Sequence, residues 1–580
     1  MANREGIDPI TLEVIEHGLA SISDEMALVI MRSGYSPVVR DTMDYSTALM
    51  DAQGKIIAQG LTLAVQLGSF PDVMRHLIGQ FTGEMAPGDI FVCNDPYGAG
   101  GQHLPDIYII KPIFRNGVRM GYAGTIAHHC DVGGIAPGSV AIHATEIFQE
   151  GLRLPIVKLH DAGRPVRDLI RIIEKNTRNP LHLMGDIRAQ IAACETGERG
   201  YLRLVERYGE TLPRYLDELQ TQAERLMRAA IRAIPEGTYH AEDWVDGLGE
   251  APVPVRLACA VTVRDGGIVI DFAGTSPQVD GAINAPVAMA RSAAFCAIRC
   301  LGAANIPNCE GYMNAIRLIV PEGTVINPRL PAACGARGVM GYRVFDVIMQ
   351  ALVQAVPDLV IAGSEGGPTL FSIGGIHRGE QYTLTEVMVG AWGARAAQDG
   401  LEGVSNPAAN LSNQPVELIE AEYPIEITRY GLVCDSGGAG RHRGGLAFER
   451  TFRLRSGTAT FTTRSDRRAH PPYGLEGGCT GAPSGNWLTQ GGVRKSLPTM
   501  PMQSYPIGAG DLFHHVSAGG GGYGAAFERP PEMVLADVRE GLVSVEAARA
   551  AYGVVMAPDG GSVDVEGTAR LRETRNGTRI

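Results

Sequence analysis

Side chains able to do chemistry gather between residues 40 and 150. They are Arg40-Asp41-Thr42-Met43-Asp44, Asn94-Asp95-Pro96, His103-Leu104-Pro105-Asp106, His128-His129-Cys130-Asp131, and His143 with Glu146 and Glu150. Imidazole together with carboxylate suits zinc, manganese or iron(II), and a hairpin carries such ligands rigidly. Asn116-Gly117 is the strongest short signal for a hairpin. A two-residue loop there pairs Arg115 with Val118 and sets Asp106 opposite Ala127, which leaves Asp106 and His128 on opposite faces. Pro112 cannot donate to the ladder and often accompanies a bulge, and one extra residue would bring Asp106 directly opposite His128. His103 could then curl back from the preceding Gly-rich turn. The other reading of the same residues is a set of hydrogen-bonding loop side chains with no metal.

The elements that must position this cluster are mixed rather than regularly alternating. Asp8-Pro9 reads as an N-cap with proline in the first turn, and Leu12, Ile15, Leu19, Ile22, Met26 and Val29 then recur at helical spacing up to Gly34. Thr47 to Gln59 reads as a hairpin about Asp51-Ala-Gln-Gly54, and Val261 to Phe272 as another about Asp265-Gly-Gly267. Helical spacing returns from Tyr201 to Ile234, near Met289 to Leu301, and from Val344 to Val356. Beyond residue 430, glycine, arginine and β-formers dominate, with Gly-rich loops at 437 to 445 and 518 to 524 that read as ordered rather than as flexible linkers. The expected fold is a multi-layered α+β subunit. It divides into a 1–237 α+β region with the metal site, a 238–430 central α/β region, and a 431–580 β-rich, Gly-rich region.

Composition narrows the function classes. The chain has 580 residues and 45% hydrophobic content, enough for extended cores. Its 51 basic and 63 acidic residues give net charge -12 without a dense Lys/Arg patch, which argues against nucleic acid. Met1-Ala-Asn-Arg-Glu5 leads into charged sequence, and no run approaches the ~20 apolar residues of a membrane span, so a cytoplasmic protein with no membrane partner is expected. The 10 cysteines are scattered without a CxxC, which favours reduced thiols. There is no G-x-x-x-x-G-K-[ST] loop and no G-x-S-x-G, and the G-x-G-x-x-G at Gly519, Gly521 and Gly524 lacks a flanking strand and helix. Cys334 reads as a small packed thiol. The cluster Arg464, Arg467, Arg468 and His470 could bind an anionic substrate or phosphorylated intermediate, or pair with acidic residues of a partner subunit.

A resemblance sharpens this reading. Asn94-Asp-Pro-Tyr97, Gly101-Gln-His103-Leu-Pro-Asp106, Ala127-His-His129 with Asp131-Val-Gly-Gly134, and Gln149-Glu-Gly-Leu-Arg-Leu-Pro155 resemble the N-terminal signature of the hydantoinase B/oxoprolinase family. Blocks continue in order through Asn327-Pro328, Asn413-Gln-Pro-Val-Glu417, Asp435-Ser-Gly-Gly438, Gly519-Gly-Gly-Gly-Tyr-Gly524 and Tyr552-Gly-Val554, so the resemblance runs from about residue 7 to 556.

That family implies one subunit of an ATP-dependent enzyme that opens a cyclic amide such as a hydantoin, 5-oxoproline or lactam. The alternative it implies is a subunit of an ATP-dependent ketone carboxylase of the acetone or acetophenone type. ATP and magnesium would sit on a hydantoinase A-type ATPase subunit with an actin-like fold. By the resemblance, Asp41, His103, Asp106 and His128 hold one divalent metal, with His129 the alternative ligand if the register differs and His143 at most behind them. Asp41 departs from many relatives, which have glutamate there. Asp44, Asp131 and Glu146 are the candidate proton acceptors or orienting carboxylates. A structural scaffold without its own site is the remaining class, against which the intact His103, Asp106 and His128 weigh.

Overall fold

The computed structural model describes residues 7–302, 305–404, 406–558 and 560–576, so the N-terminal reading on Met1 to Glu5 lies outside the described residues. The first helix, α1 (Pro9–Ser33), forms as its sequence dictates. Asp8 caps it by accepting from the Thr11 amide at 2.9 Å, Pro9 fills the first turn, and Leu12, Ile15, Leu19, Ile22 and Met26 are buried along one stripe. Ile30 takes the last inward place, and Val29 is only half-buried. A second long helix, α2 (Pro180–Tyr208), lies against it where a side chain at Gly197 or Gly200 would strike Met26 or Ile22.

These helices cover a sheet of β1 (Tyr45–Asp51), β2 (Ile56–Gln59), β3 (Ile90–Cys93), β4 (Asp106–Arg115), β5 (Val118–His128), β6 (Val157–Asp161) and β7 (Arg164–Pro165). The order is β2-β1-β5-β4-β3-β6-β7, which puts the β4–β5 hairpin in the middle. Near the turn the register is the simple one, Arg115 opposite Val118 and Phe114 opposite Arg119. It then slips, Ile113 standing opposite Gly121, so Met120 is the extra residue and Asp106 lies opposite His128. The bulge is next to Pro112 in space but falls on the facing strand.

Helix α3 (Leu212–Ile231) leads into a second sheet of β8 (Gly237–Val245), β9 (Val255–Arg264), β10 (Gly267–Asp271) and β11 (Ile316–Ile319), in the order β11-β10-β9-β8. Helices α4 (Val287–Cys300) and α5 (Gly338–Leu352) follow, and α5 is buried on nearly every face, the pattern of a helix enclosed by the core.

Nine strands then alternate between two further sheets: β12 (Thr369–His377), β13 (Glu380–Met388), β14 (Ile425–Leu432), β15 (Phe448–Leu454), β16 (Thr458–Arg464), β17 (Gly485–Gln490), β18 (Val493–Ser496), β19 (Tyr505–Gly508) and β20 (Leu512–Val516). Their orders are β13-β12-β16-β19 and β14-β15-β20-β17-β18, and Phe371, Phe452, Phe461 and Phe513 form the core they share.

Strand β8 starts at Gly237, and one hydrophobic core runs from Ala48 to Tyr523 on both sides of it. Strand β14 spans residues 430 and 431, and the β12–β16 pairing joins residues from both sides of them. The last region is β-rich only as far as Val516; beyond it the described residues form helices over Pro531–Arg539, Val545–Tyr552 and Val565–Asn576. The Gly-rich loops are locked into one another by backbone bonds such as Gly438 to Gly520, Gly520 to Gly445 and Gly522 to Cys479.

Candidate functional site

The site is built where β4 begins, β5 ends and α5 starts. Asn94 fixes the turn before β4 by donating to the Leu104 and Leu152 carbonyls at 2.7 and 2.9 Å. His103 and Asp106 then face the end of β5, and the His103 and His128 rings lie 5.0 Å apart between centroids. The His128 amide donates to the Asp44 carbonyl at 2.9 Å, which carries the segment before β1 into the same pocket.

Hydrogen bonding around His103 is lopsided. Its Nδ1–H donates to the Gly335 carbonyl at 2.9 Å, so in the neutral ring Nε2 is a bare acceptor. That nitrogen stands 3.2 Å from Asp106 Oδ1, and neither atom has a hydrogen-bond partner. His128 Nδ1 is buried and equally unpartnered. Burial, reinforced by Arg337, pulls His103 below the usual imidazole range, and burial with His103 pulls His128 well below it. Burial alone would raise Asp106, but Arg337 and His103 override it and hold the carboxyl below its usual range. With a neutral His103 ring, two lone-pair atoms thus face each other, an arrangement that a proton on the imidazole or a metal ion resolves. Arg337 already pairs with the other Asp106 oxygen and reaches Gln102 Oε1 at 3.2 Å. Among the described residues no group of three or more His, Cys, Asp or Glu closes to the spacing an ion requires. His103 and Asp106 stand 3.2 Å apart and the His128 ring 5.0 Å from that of His103, with Arg337 sharing Asp106.

The other expected site residues separate clearly. Asp41 is not drawn into the pocket: its carboxylate takes a fork of bonds from the adjacent Arg40, at 3.1 and 2.8 Å, and Arg40 continues to Glu422. Asp44 is the acidic group that acts on Asp106. It is buried, accepts from Gln66 Nε2 at 2.8 Å, and is pushed up to about 7 by burial and by the Asp106 charge. His129 points to the other face of β5, against Gln190 at 3.1 Å and Asp186 at 4.0 Å on α2. Asp131 is a structural carboxylate that accepts from the Gly133, Gly138 and Arg178 amides and pairs with the Arg178 guanidinium. Glu146 is exposed and caps a short turn with Gln149. His143 is half-buried.

Two supports were not visible as such in the sequence. Buried Glu150, raised to about 8 by burial, accepts from the Cys334 and Gly335 amides and so presents the Gly335 carbonyl to His103. Arg337 follows in the same loop. The Cys334 thiol is buried against Glu150 and pushed well up by that burial, as expected of a packed rather than a reactive thiol.

A family-level match to hydantoinase B/oxoprolinase spans residues 8–526. The chain belongs to that family. Within it, the chain is 32% identical to the caprolactamase subunit beta of Pseudomonas jessenii over 96% of its own length and 97% of that protein. It is 28% identical to 5-oxoprolinase 1 of Arabidopsis thaliana, covering 89% of its own length and 42% of that longer chain. The crystal structure of the ATP-dependent caprolactamase from Pseudomonas jessenii superposes with a TM-score of 0.90 at 30% identity, over 98% of this chain and 100% of that one. An acetone carboxylase in a nucleotide-free structure shares the fold, with a TM-score of 0.92 at 21% identity over 99% of this chain and 83% of that one. The mixed α and β architecture is therefore that of the hydantoinase B/oxoprolinase family. No helix among the described residues is long and apolar enough to cross a membrane.

Proposed function

We propose that this chain is the B-type subunit of an ATP-dependent amidohydrolase that opens a cyclic amide, a hydantoin, 5-oxoproline or lactam, in the cytoplasm. ATP and magnesium belong to an A-type ATPase partner. The observation that carries the chemistry is the pair of buried, unpartnered acceptors His103 Nε2 and Asp106 Oδ1, 3.2 Å apart. With His128 they are the residues that would hold one divalent ion, zinc, manganese or iron(II). Such an ion, when bound, polarises a carbonyl and lowers the pKa of water towards ~7.

The chain's own groups complete the reading. Gly335 and Glu150 fix the His103 tautomer, a support typical of ligating histidines. Asp44, raised to about 7 and steadied by Gln66, is poised to take a proton from attacking water. Glu146 and Asp131 have no part in this scheme. An unstrained amide is a poor electrophile, and phosphorylation of its carbonyl oxygen by the partner supplies the activation that these groups lack.

The test is co-expression with the A-type neighbour and measurement of ATP turnover against hydantoins, 5-oxoproline, lactams, and ketones with bicarbonate. Ring opening coupled to ATP hydrolysis is expected. Turnover confined to a ketone with bicarbonate would replace this reading with the carboxylase one, which the shared fold of acetone carboxylase keeps in the panel.

A further inference from the structure

The Arg464–Arg468 cluster resolves into residues of different fates. Buried Arg467 pairs with Asp243 and Asp346, and Arg468 is spent on the Ser484 and Leu497 carbonyls. The other large buried arginines, Arg343, Arg450 and Arg529, also hold carboxylates. Arg464 does not. It ends β16, is 6% exposed, and its Nε has no hydrogen-bond partner. Its charged neighbours are the like-charged Arg337 and, across the pocket, Asp44, with Tyr342 alongside. Burial and Arg337 pull this guanidinium down to about 10, and Tyr342 and Asp44 offset them only in part.

What Arg464 faces is the start of α5. A Cβ placed on Gly338, the first residue of that 15-residue helix, would stand 3.5 Å from both Arg464 Nη1 and Nη2. The guanidinium thus lies against the first turn of the helix with only a glycine facing it, and the positive end of the helix dipole favours an anion there. Arg337, the N-cap residue, links this space to Asp106.

We propose that Arg464, Arg337 and the N-terminus of α5 form a seat for the phosphoryl group of an activated substrate, beside His103, Asp106 and His128. The proposal rests on the amidohydrolase reading and deepens it. Once the carbonyl oxygen carries the phosphoryl group, one water adds to that carbon and the ring C–N bond breaks, the nitrogen leaving with a proton. An acyl phosphate remains, and a second water releases inorganic phosphate and the carboxylic acid. The phosphoryl group therefore stays on the substrate throughout ring opening, so the chain that opens the ring has to accommodate it.

Titration calorimetry of the full chain with inorganic phosphate, and separately with acetate, tests the seat. One saturable phosphate is expected, with acetate at least about tenfold weaker, because a planar guanidinium fork at the positive end of a helix suits a dianion. Arg464→Met keeps the bulk and removes the fork. Gly338→Ala inserts a methyl at ordinary contact distance in a helix that accepts alanine, so a melting temperature close to that of the unaltered chain is expected. Each should weaken phosphate at least about tenfold. Unchanged phosphate binding by Arg464→Met, or acetate binding more tightly than phosphate, would overturn the proposal. If phosphate binding depends on Arg464 but the complex opens no ring, the amidohydrolase reading fails and the seat stands. If the complex carrying Arg464→Met opens rings at the unaltered rate, the seat fails and the function stands.

Discussion

Asp41 and Asp44 are three residues apart and equally acidic, yet their neighbours give them different work. Arg40 neutralises Asp41 where it stands, while Asp44 is buried facing Asp106. Metal analysis should therefore find one bound ion in the purified chain, none in His103→Ala, and an undiminished ion in Asp41→Asn; loss of the ion from Asp41→Asn would restore the ligand set implied by the family resemblance. Gln66→Ala, which frees Asp44 Oδ1, should weaken the ion by about 10- to 100-fold, as removal of an outer support does. The raised carboxyl also gives a pH signature. At pH 6 in the ion-free chain Asp44, pushed up to about 7, carries a proton, while burial pulls His103 and His128 below the usual imidazole range. A cation beside Asp106 favours ionised Asp44, so binding should release about one proton at pH 6 and progressively fewer above pH 7. Calorimetry in buffers of different ionisation enthalpy reads that number, and a release that persists in Asp44→Asn would assign the proton elsewhere. His103, Asp106 and His128 were legible from type and spacing. Arg464 was legible only as one of a cluster able to bind an anion or pair with a partner subunit, and Arg337 was not legible as a site residue, because only tertiary folding carries it 231 positions back to Asp106.

At the scale of elements, period and turn chemistry served well wherever contacts are local. Asn116-Gly117 set the hairpin and Asp8-Pro9 set α1, both from side chains acting on their own backbone. The position of the bulge was less visible. Pro112 raised the possibility, but the inserted residue is Met120 on the opposite strand, where the packing of β5 between β1 and β4 decides. Deleting Met120 should remove the bulge and leave His128 opposite Asp106, because Gly121 then follows Arg119 and the remaining pairs run in unbroken register. The expected result is a chain that keeps its far-ultraviolet circular dichroism and its ion; loss of the ion would mean that the bulge itself, beyond the register it sets, controls the site. The glycine loops fail as linkers for a steric reason. A Cβ on Gly444 would lie 1.9 Å from the Gly520 carbonyl oxygen, whereas one on Gly431 would meet nothing within 4 Å. Gly444→Ala should cost about 3 kcal/mol or more, as overpacking against backbone does, and Gly431→Ala close to nothing. Denaturant melts of the two variants check this pair.

Across the whole molecule, composition records where glycine and β-formers become frequent, near residue 430, and not which strands pair. One sheet takes β12 and β13 from before that point and β16 and β19 from after it, and the main core continues through both. The hydantoinase B/oxoprolinase match occupies residues 8–526 of the same continuous structure. The 580 residues contain no G-x-x-x-x-G-K-[ST] motif, and the Gly519–Gly524 run is filled by the backbones of neighbouring loops, with Ser436, Trp392 and Tyr473 carbonyls where side chains would stand. A dinucleotide or triphosphate has no room there. On the proposed reading the energy for amide activation comes from the A-type partner, and a phosphorylated intermediate exposed to water in transit would hydrolyse wastefully. The two subunits should accordingly bury an extended interface of about 2,000 Å² or more and co-purify. The isolated chain should hydrolyse no ATP and open no cyclic amide, and both activities should appear together when the A-type partner is added. Coupled ATP hydrolysis by the chain alone, purified free of any partner, would overturn this division of labour, as would a nucleotide bound within its own structure.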